Sequence, residues 1–312
     1  MKVRELGIAI AVIVACTVFG IINPVFLTLG NIAVILRACA FTGVMAIGVG
    51  FLLMSGMIDI SVGAIAGLAA ILTSFLIVKL GYPVWLGFFV GLLMGGIAGW
   101  LNSQITLKLG VPAFLVTIGT MYIYRGLALF ISNGFTIYPL PTSVERFGIG
   151  TPLGLSWHFL IFVVLVFIGQ FLLSETVWGL TVRATGSDRE TAFNTEVNVN
   201  RVNTQTFILC GVLAALSGLL LMSRIITGQA NIGLGWELNA ITAAAIGGVS
   251  LFGYEGSIIG VFLGVLLIQV IQNGLVVIGG SPYLQSVEVG IVLVVTAVFD
   301  VQRRKRLNKE LT

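Results

Sequence analysis

Long unbroken apolar runs, separated by short clusters of glycine and proline, dominate this chain. Ten are long enough to be read as helices crossing a membrane: 6–22, 33–54, 61–78, 83–106, 112–133, 157–173, 204–224, 236–252, 258–277 and 284–300. About 20 apolar residues carry a helix across the hydrocarbon core. Breaks fall at Asn23-Pro24, Gly81-Tyr82-Pro83, Gly110-Val111-Pro112 and Gly279-Gly280-Ser281-Pro282, where backbone conformation or a missing donor ends helices. Transmembrane β-strands alternate apolar and polar residues, and the runs at 6–22 and 161–173 do not. The pattern predicts an all-α, polytopic transmembrane helical bundle of about ten spans, formed as one domain over 1–312.

Composition excludes the soluble alternative. Of 312 residues, 58% are hydrophobic and 9% charged, whereas a soluble domain carries about 25% charged residues to coat its core. The net charge of +4 does not point to nucleic acid, because cytoplasmic segments of membrane proteins collect Lys and Arg. Lys2 and Arg4 place the N-terminus in the cytoplasm, and Arg303, Arg304, Lys305 and Arg306 place the tail 301–312 there too. Both termini on one side require an even number of spans. Ten spans put the loop 175–203, with Arg183, Arg189 and Arg201, inside, and put 134–156 outside. The first run is longer than a signal-peptide core and no small-x-small site precedes Asn23, so an uncleaved first span is expected.

Glycine is abundant, at 40 residues. Gly91, Gly95 and Gly99 recur every four residues along one helix face, as do Gly63 with Gly67 and Gly260 with Gly264. Such stripes let helix backbones approach closely. The segments 56–63 and 253–260 also echo each other: an apolar run, a break with glycine and an acid, a serine two residues on, then a small-xxx-small helix start. Transporters carry internal repeats with interrupted helices near the pathway.

Candidate chemistry is sparse. Cys16, Cys39 and Cys210 stand singly in apolar runs, without metal-ligand or disulfide spacing. The single His158 starts the sixth span, at the predicted outer interface, and no nucleophile–base set accompanies it. No lysine lies in a glycine-rich phosphate loop, so ATP hydrolysis by this chain is not expected. Among acids, Asp59, Glu237 and Glu255 fall at helix breaks, Asp300 ends the last span, and Glu288 lies within one. A proton relay needs several carboxylates at mid-depth, which counts against an ion-coupled secondary carrier, the alternative reading. Neutral polar residues are the better pathway candidates: Gln269, Gln272 and Asn273 on one face of the ninth span, Thr117 and Thr120 on the fifth, with Asp59 and Ser61 at the break before the third. The loop 175–203 is the one long segment of mixed charge. A short surface helix over 185–197, carrying Arg189 and Glu190, suits docking of a soluble partner.

Three segments resemble the permease subunits of ribose-type ATP-binding-cassette importers. Gly56-Met57-Ile58-Asp59-Ile60-Ser61-Val62-Gly63 is similar to their first signature. Val111-Pro112 through Thr117, Gly119 and Thr120 to Arg125-Gly126 is similar to the second, and Glu237-Leu238-Asn239 through Gly247-Gly248 to Gly256-Ser257 to the third. The likeness spans essentially the whole chain. It implies import of a monosaccharide or related small hydroxylated solute across a bacterial inner membrane. It further implies cytoplasmic ATPase subunits that carry the ATP and Mg, a periplasmic solute-binding protein, and a second permease copy or a homologous permease. This chain would bind no cofactor itself. The loop is then the ATPase-coupling segment, with Arg183, Ala184, Gly186, Asp188, Glu190, Ala192 and Val197 as its candidate residues. Of these, Arg183, Ala184, Gly186 and Ala192 match the family's pattern. Ser187, Asp188, Thr191, Thr195 and Glu196 depart from it, which makes a heterodimer with a better-matching permease a live expectation.

Overall fold

A computed structural model describes residues 3–187, 198–281 and 283–310. The described helices are α1 (Val3–Ile22), α2 (Leu29–Met54), α3 (Val62–Ser74, continued by a π-helical turn Phe75–Lys79), α4 (Val84–Leu109), α5 (Ala113–Ser132), α6 (Thr142–Ile149), α7 (Trp157–Glu175), α8 (Val177–Ser187), α9 (Val199–Ile225), α10 (Trp236–Ile246), α11 (Ile258–Val277) and α12 (Leu284–Glu310). Side-chain caps start several of them. Thr28, Ser156, Asn198 and Ser257 accept from the backbone N–H of Asn31, Phe159, Arg201 and Gly260, satisfying donors that the helix itself leaves open.

Nine helices among the described residues are long and apolar enough to cross a membrane. They are not equivalent. The spans in α3 and α9 are 72% buried within the protein, while those in α1 and α12 are 6% buried, although α1 has the higher mean hydropathy. Lipid is as good a solvent for leucine as a protein interior is, so apolarity does not sort inner from outer helices. Small residues do. The stripe Gly91, Gly95, Gly99 faces α3 and α9: a Cβ at Gly95 would collide with the Gly211 carbonyl, one at Gly99 with that of Phe207, and one at Gly91 with the Thr73 hydroxyl. The close helix packing expected from the stripe is present, with α9 at the centre against α2, α3 and α4. Around this core α5 packs on α3 and α4, α7 on α2 and α11, α1 on α11, and α12 on α10 and α11.

The expectation from sequence needs correction between 226 and 257. The helix expected over 236–252 is only α10, Trp236–Ile246. Ahead of it, residues 226–235 form an unwound segment, with left-handed backbone at Ile226, Gly233 and Gly235. Gly228 exchanges two backbone hydrogen bonds of 2.9 Å with Ile137, just beyond the end of α5. After α10, Tyr254 donates to the Met54 carbonyl at the end of α2 (3.1 Å). In the alternating succession of crossings these helix ends lie on opposite faces. The stretch 226–247 is therefore the tenth crossing, half unwound and half helical, and both termini share one face. Within the segment 175–203, α8 and the first turn of α9 occupy the described ends. Asp300 stands at the end of the last apolar span, Leu284–Gln302, while α12 itself runs on to Glu310; the Asp300 carboxylate accepts from Ser250 Oγ (3.0 Å) and the Leu251 N–H (3.1 Å).

Candidate functional site

Two polar assemblies lie inside the bundle, and their hydrogen-bond lengths separate them. The first is a tight knot at the start of α3. Ser61 donates to Asp59 Oδ1 through its N–H (2.7 Å) and its hydroxyl (2.6 Å). Asn102 of α4 donates to Asp59 Oδ2 (3.0 Å) and Ser61 Oγ (2.9 Å). Tyr124 of α5 donates to Asn102 Oδ1 (3.1 Å). Asp59, Ser61 and Asn102 are fully buried. A buried carboxylate persists only where donors replace its water. Here they also tie three helices together.

One turn along α3, the backbone of the unwound segment lies in a groove made by missing side chains. A Cβ at Gly63 would collide with the Gly233 carbonyl, and one at Gly67 would overlap the carbonyls of Ala230 and Ile232. Arg125 of α5 donates to the same two carbonyls, Ala230 O and Ile232 O (2.9 Å). Glu237, at the start of α10, balances the guanidinium electrostatically. Unwound backbone inside a membrane needs such partners, since lipid offers none. The three segments singled out in the sequence, around Asp59, Arg125 and Glu237, thus converge to hold residues 230–237 in place.

The held segment forms the wall of the second assembly, a cavity of about 440 Å³ between α2, α10, α11 and α12. Phe41 and Trp236, both lining it, stack on each other, with centroids 6.4 Å apart and planes 17° apart. Thr42, Asn239, Gln269, Gln272, Gln285 and Ser286 supply its polar groups. Their bonds are long: Gln269 to Thr42 3.3 Å, Gln269 to Gln272 3.4 Å, Gln272 to Asn239 3.5 Å and Gln272 to Glu288 3.4 Å. Bonds of that length are weak and readily exchanged for those of a ligand. An apolar ring pair facing convergent amides matches a solute with one apolar face and several hydroxyls.

The sequence candidates are distributed accordingly. Gln269 and Gln272 line the cavity. Asn273, on the edge of the same stripe, instead accepts from Asn31 (2.8 Å) at the start of α2. Asp59 and Ser61 sit in the knot. Thr117 and Thr120 are buried and bond back to carbonyls of their own helix, Ala113 O (2.9 Å) and Thr117 O (3.3 Å). Sequence reasoning missed Asn102, Tyr124, Phe41, Thr42 and Gln285, and it noted Arg125, Asn239 and Trp236 only as parts of motifs or spans. Asn102, which opens the polar run Asn102-Ser103-Gln104 after the apolar stretch of α4, was the one with a visible signal.

Of the coupling candidates, Asp188, Glu190, Ala192 and Val197 lie outside the described residues. Arg183 donates to Gly256 O (3.4 Å), and Ala184 is half-buried beside it. Gly186, at the end of α8, lies against both echoing segments: its own Cβ would strike the Met54 carbonyl, and one at Gly253 would strike the Gly186 carbonyl. The Gly186 Cα lies 3.5 Å from where a Cβ of Gly56 would stand. Ser257 is held as well, by Glu5 of α1 (2.6 Å). The end of α8 therefore touches the turns from which α3 and α11 start.

Residues 31–297 match the family described as branched-chain amino acid transport system / permease component. The chain is similar to the ribose import permease of Bacillus subtilis, 35% identical over 299 residues, covering 95% of this chain and 92% of that one. It is 31% identical to the ribose import permease of Haemophilus influenzae, covering 93% and 91%. It is also 31% identical to an autoinducer 2 import system permease of an Enterobacter species, covering 99% and 90%. No solved structure matches.

Proposed function

The chain belongs to the family of branched-chain amino acid transport system permease components, and from that premise we propose that it passes a monosaccharide or related hydroxylated solute inward through the Phe41–Trp236 cavity. It is a multi-pass membrane protein and the permease subunit of an ATP-binding-cassette importer, not an enzyme. The observation that carries the solute reading is the cavity itself, in which stacked rings face Gln269, Gln272 and Asn239. The ribose permeases named above support the same solute class. The membrane in question is the bacterial inner membrane, with the basic termini in the cytoplasm.

The partners derive from the same premise. A cytoplasmic ATPase supplies ATP and Mg chemistry, a periplasmic binding protein delivers solute, and a second permease, identical or homologous, completes the pair. The ATPase docks on the segment after α8. Movement there acts on the turns at 54–56 and 253–257, because Gly186 lies against both. Those turns lead into α3 and α11, and α11 carries Gln269 and Gln272. Binding protein loaded with solute must favour one state of the bundle differentially, since equal affinity for both states shifts nothing.

Affinity purification of the tagged chain in mild detergent, with mass spectrometry of the co-purifying proteins, is the test. A stoichiometric ATPase is expected, and Ala192→Trp is expected to lower its recovery without lowering the amount of permease in the membrane. Recovery of the permease alone, together with uptake that survives ATP depletion while ion gradients persist, would replace this reading with an ion-coupled carrier.

A further inference from the structure

Glu288 stands one turn into α12, inside the last apolar span. An ionisable residue at such a position is costly and marks a functional candidate, whose partner has to be found. Among the described residues no basic group pairs with it. Its Oε1 is buried without a hydrogen-bond partner, and its Oε2 accepts from Gln272 Nε2 (3.4 Å). Glu288 does not itself line the cavity, whereas Gln272 and, on its own helix, Gln285 and Val289 do. Its route to the cavity is therefore through Gln272.

A carboxylate accepts hydrogen bonds and donates none, while an amide side chain has one end of each kind. The two ends have nearly the same shape, so an amide is oriented only by its partners. Gln272 must turn its NH2 toward Glu288, and the direction propagates. The same Nε2 donates to Asn239 Oδ1 (3.5 Å), which leaves Asn239 Nδ2 to donate elsewhere. Gln272 Oε1 accepts from Gln269 Nε2 (3.4 Å), and that nitrogen also donates to Thr42 Oγ1 (3.3 Å). Gln269 Oε1 is thereby left to accept. Among the described residues neither free end has a partner. With a neutral amide in place of Glu288, every bond of this chain can form with the amides reversed. Thr42 does not oppose the reversal, because a hydroxyl both donates and accepts.

We propose that Glu288 is a positioning residue that fixes the direction of the Asn239–Gln272–Gln269 amide chain, so that the cavity offers its solute an acceptor at Gln269 Oε1 and a donor at Asn239 Nδ2. The solute class narrows accordingly. It carries a hydroxyl that donates to Gln269 and an oxygen that accepts from Asn239. A group that only accepts, such as a carboxylate, an ether or a fluorine, is refused at Gln269. This deepens the reading of the cavity as the solute site and rests on it.

The purified permease–ATPase complex, without binding protein so that the cavity alone is read, is titrated with ribose and its deoxyfluoro analogues, one hydroxyl replaced at a time. The half-saturating concentration is taken from the shift in thermal stability. Fluorine accepts weakly and cannot donate. Replacing the hydroxyl that faces Gln269 is expected to raise the half-saturating concentration about tenfold, the loss of one net hydrogen bond. In Glu288→Gln the chain is free to reverse, so that penalty is expected to fall to about twofold, the cost of choosing one of two equal orientations. A purely structural role for Glu288 would weaken ribose and analogue alike and leave their ratio unchanged. Where Glu288→Gln fails to assemble, Gln272→Leu cuts the chain between Glu288 and Gln269 and is expected to shrink the penalty as well. A ribose response without a fluorine penalty at any position overturns the proposal. So does a penalty that persists in Glu288→Gln or in Gln272→Leu, and with a ribose response that Gln272→Leu weakens, the cavity reading still stands. No ribose response in the unaltered complex overturns the cavity reading, and the proposal with it.

Discussion

Replacing Arg125 with glutamine removes the guanidinium that holds Ala230 O and Ile232 O and leaves both carbonyls facing the interior. Hydrogen bonds to charged groups contribute about 1.5–3 kcal/mol each, while polar contacts inside membrane proteins reach only about 1.7 kcal/mol. Taking about 1.5 kcal/mol for each, the two bonds amount to about 3 kcal/mol. If residues 230–237 must be held for Trp236 and Asn239 to face the cavity, that loss lowers the competent population. Apparent affinity falls in proportion, by up to about 100-fold. Arg125→Lys keeps the charge but loses the planar fork, so an intermediate loss of about tenfold is expected. Uptake into proteoliposomes containing the permease and its ATPase, measured across solute concentrations, reads this directly. The expected pattern is a raised KM with ATPase co-purification unchanged. A KM for Arg125→Gln equal to that of the unaltered protein would refute the clamp. Gly63→Val provides a second route to the same phenotype, because its side chain would displace the Gly233 carbonyl.

The knot and the cavity are expected to respond in opposite ways. Asn102→Leu keeps the branched shape but deletes the donor to Asp59 Oδ2 and the acceptor of Tyr124. It should destabilise the folded protein by about 2–4 kcal/mol, read as a shifted midpoint in a detergent unfolding titration, and an unchanged midpoint would show that the knot does not hold the helices together. Gln272→Leu breaks only bonds of 3.4–3.5 Å, so stability should hold while KM rises about tenfold, the loss of one net hydrogen bond to solute. A KM unaffected by that change would argue against the cavity as the solute site. Gly99→Leu should prevent α4 from meeting α9, because the new side chain starts inside the Phe207 carbonyl. Its signature is loss of membrane-inserted protein in immunoblots, and normal levels would count against the close packing.

The apolar periodicity, the basic termini and the Gly/Pro breaks were sufficient to determine an all-α membrane bundle, an even number of crossings and nine of its helices. Each of these has a local physical cause: a backbone in lipid must satisfy itself within the helix, and lysine and arginine clusters stay in the cytoplasm. The glycine stripes likewise announced which faces pack, since a missing Cβ acts at one place. The sequence placed the tenth crossing as a full helix over 236–252, where the structure has only Trp236–Ile246 behind an unwound stretch. Residues 226–235 lack a helix because Gly63, Gly67 and Arg125, over 100 residues away, accommodate and hold their backbone. The candidate polar residues were also indistinguishable by composition. Asp59, Thr117 and Gln272 are each a polar group among apolar neighbours, yet one lies in a knot, one bonds back to its own helix, and one faces a cavity. Burial separates α9 from α1 for the same reason: lipid and protein interior are alike to an apolar side chain, so only tertiary contacts decide which helix is inside.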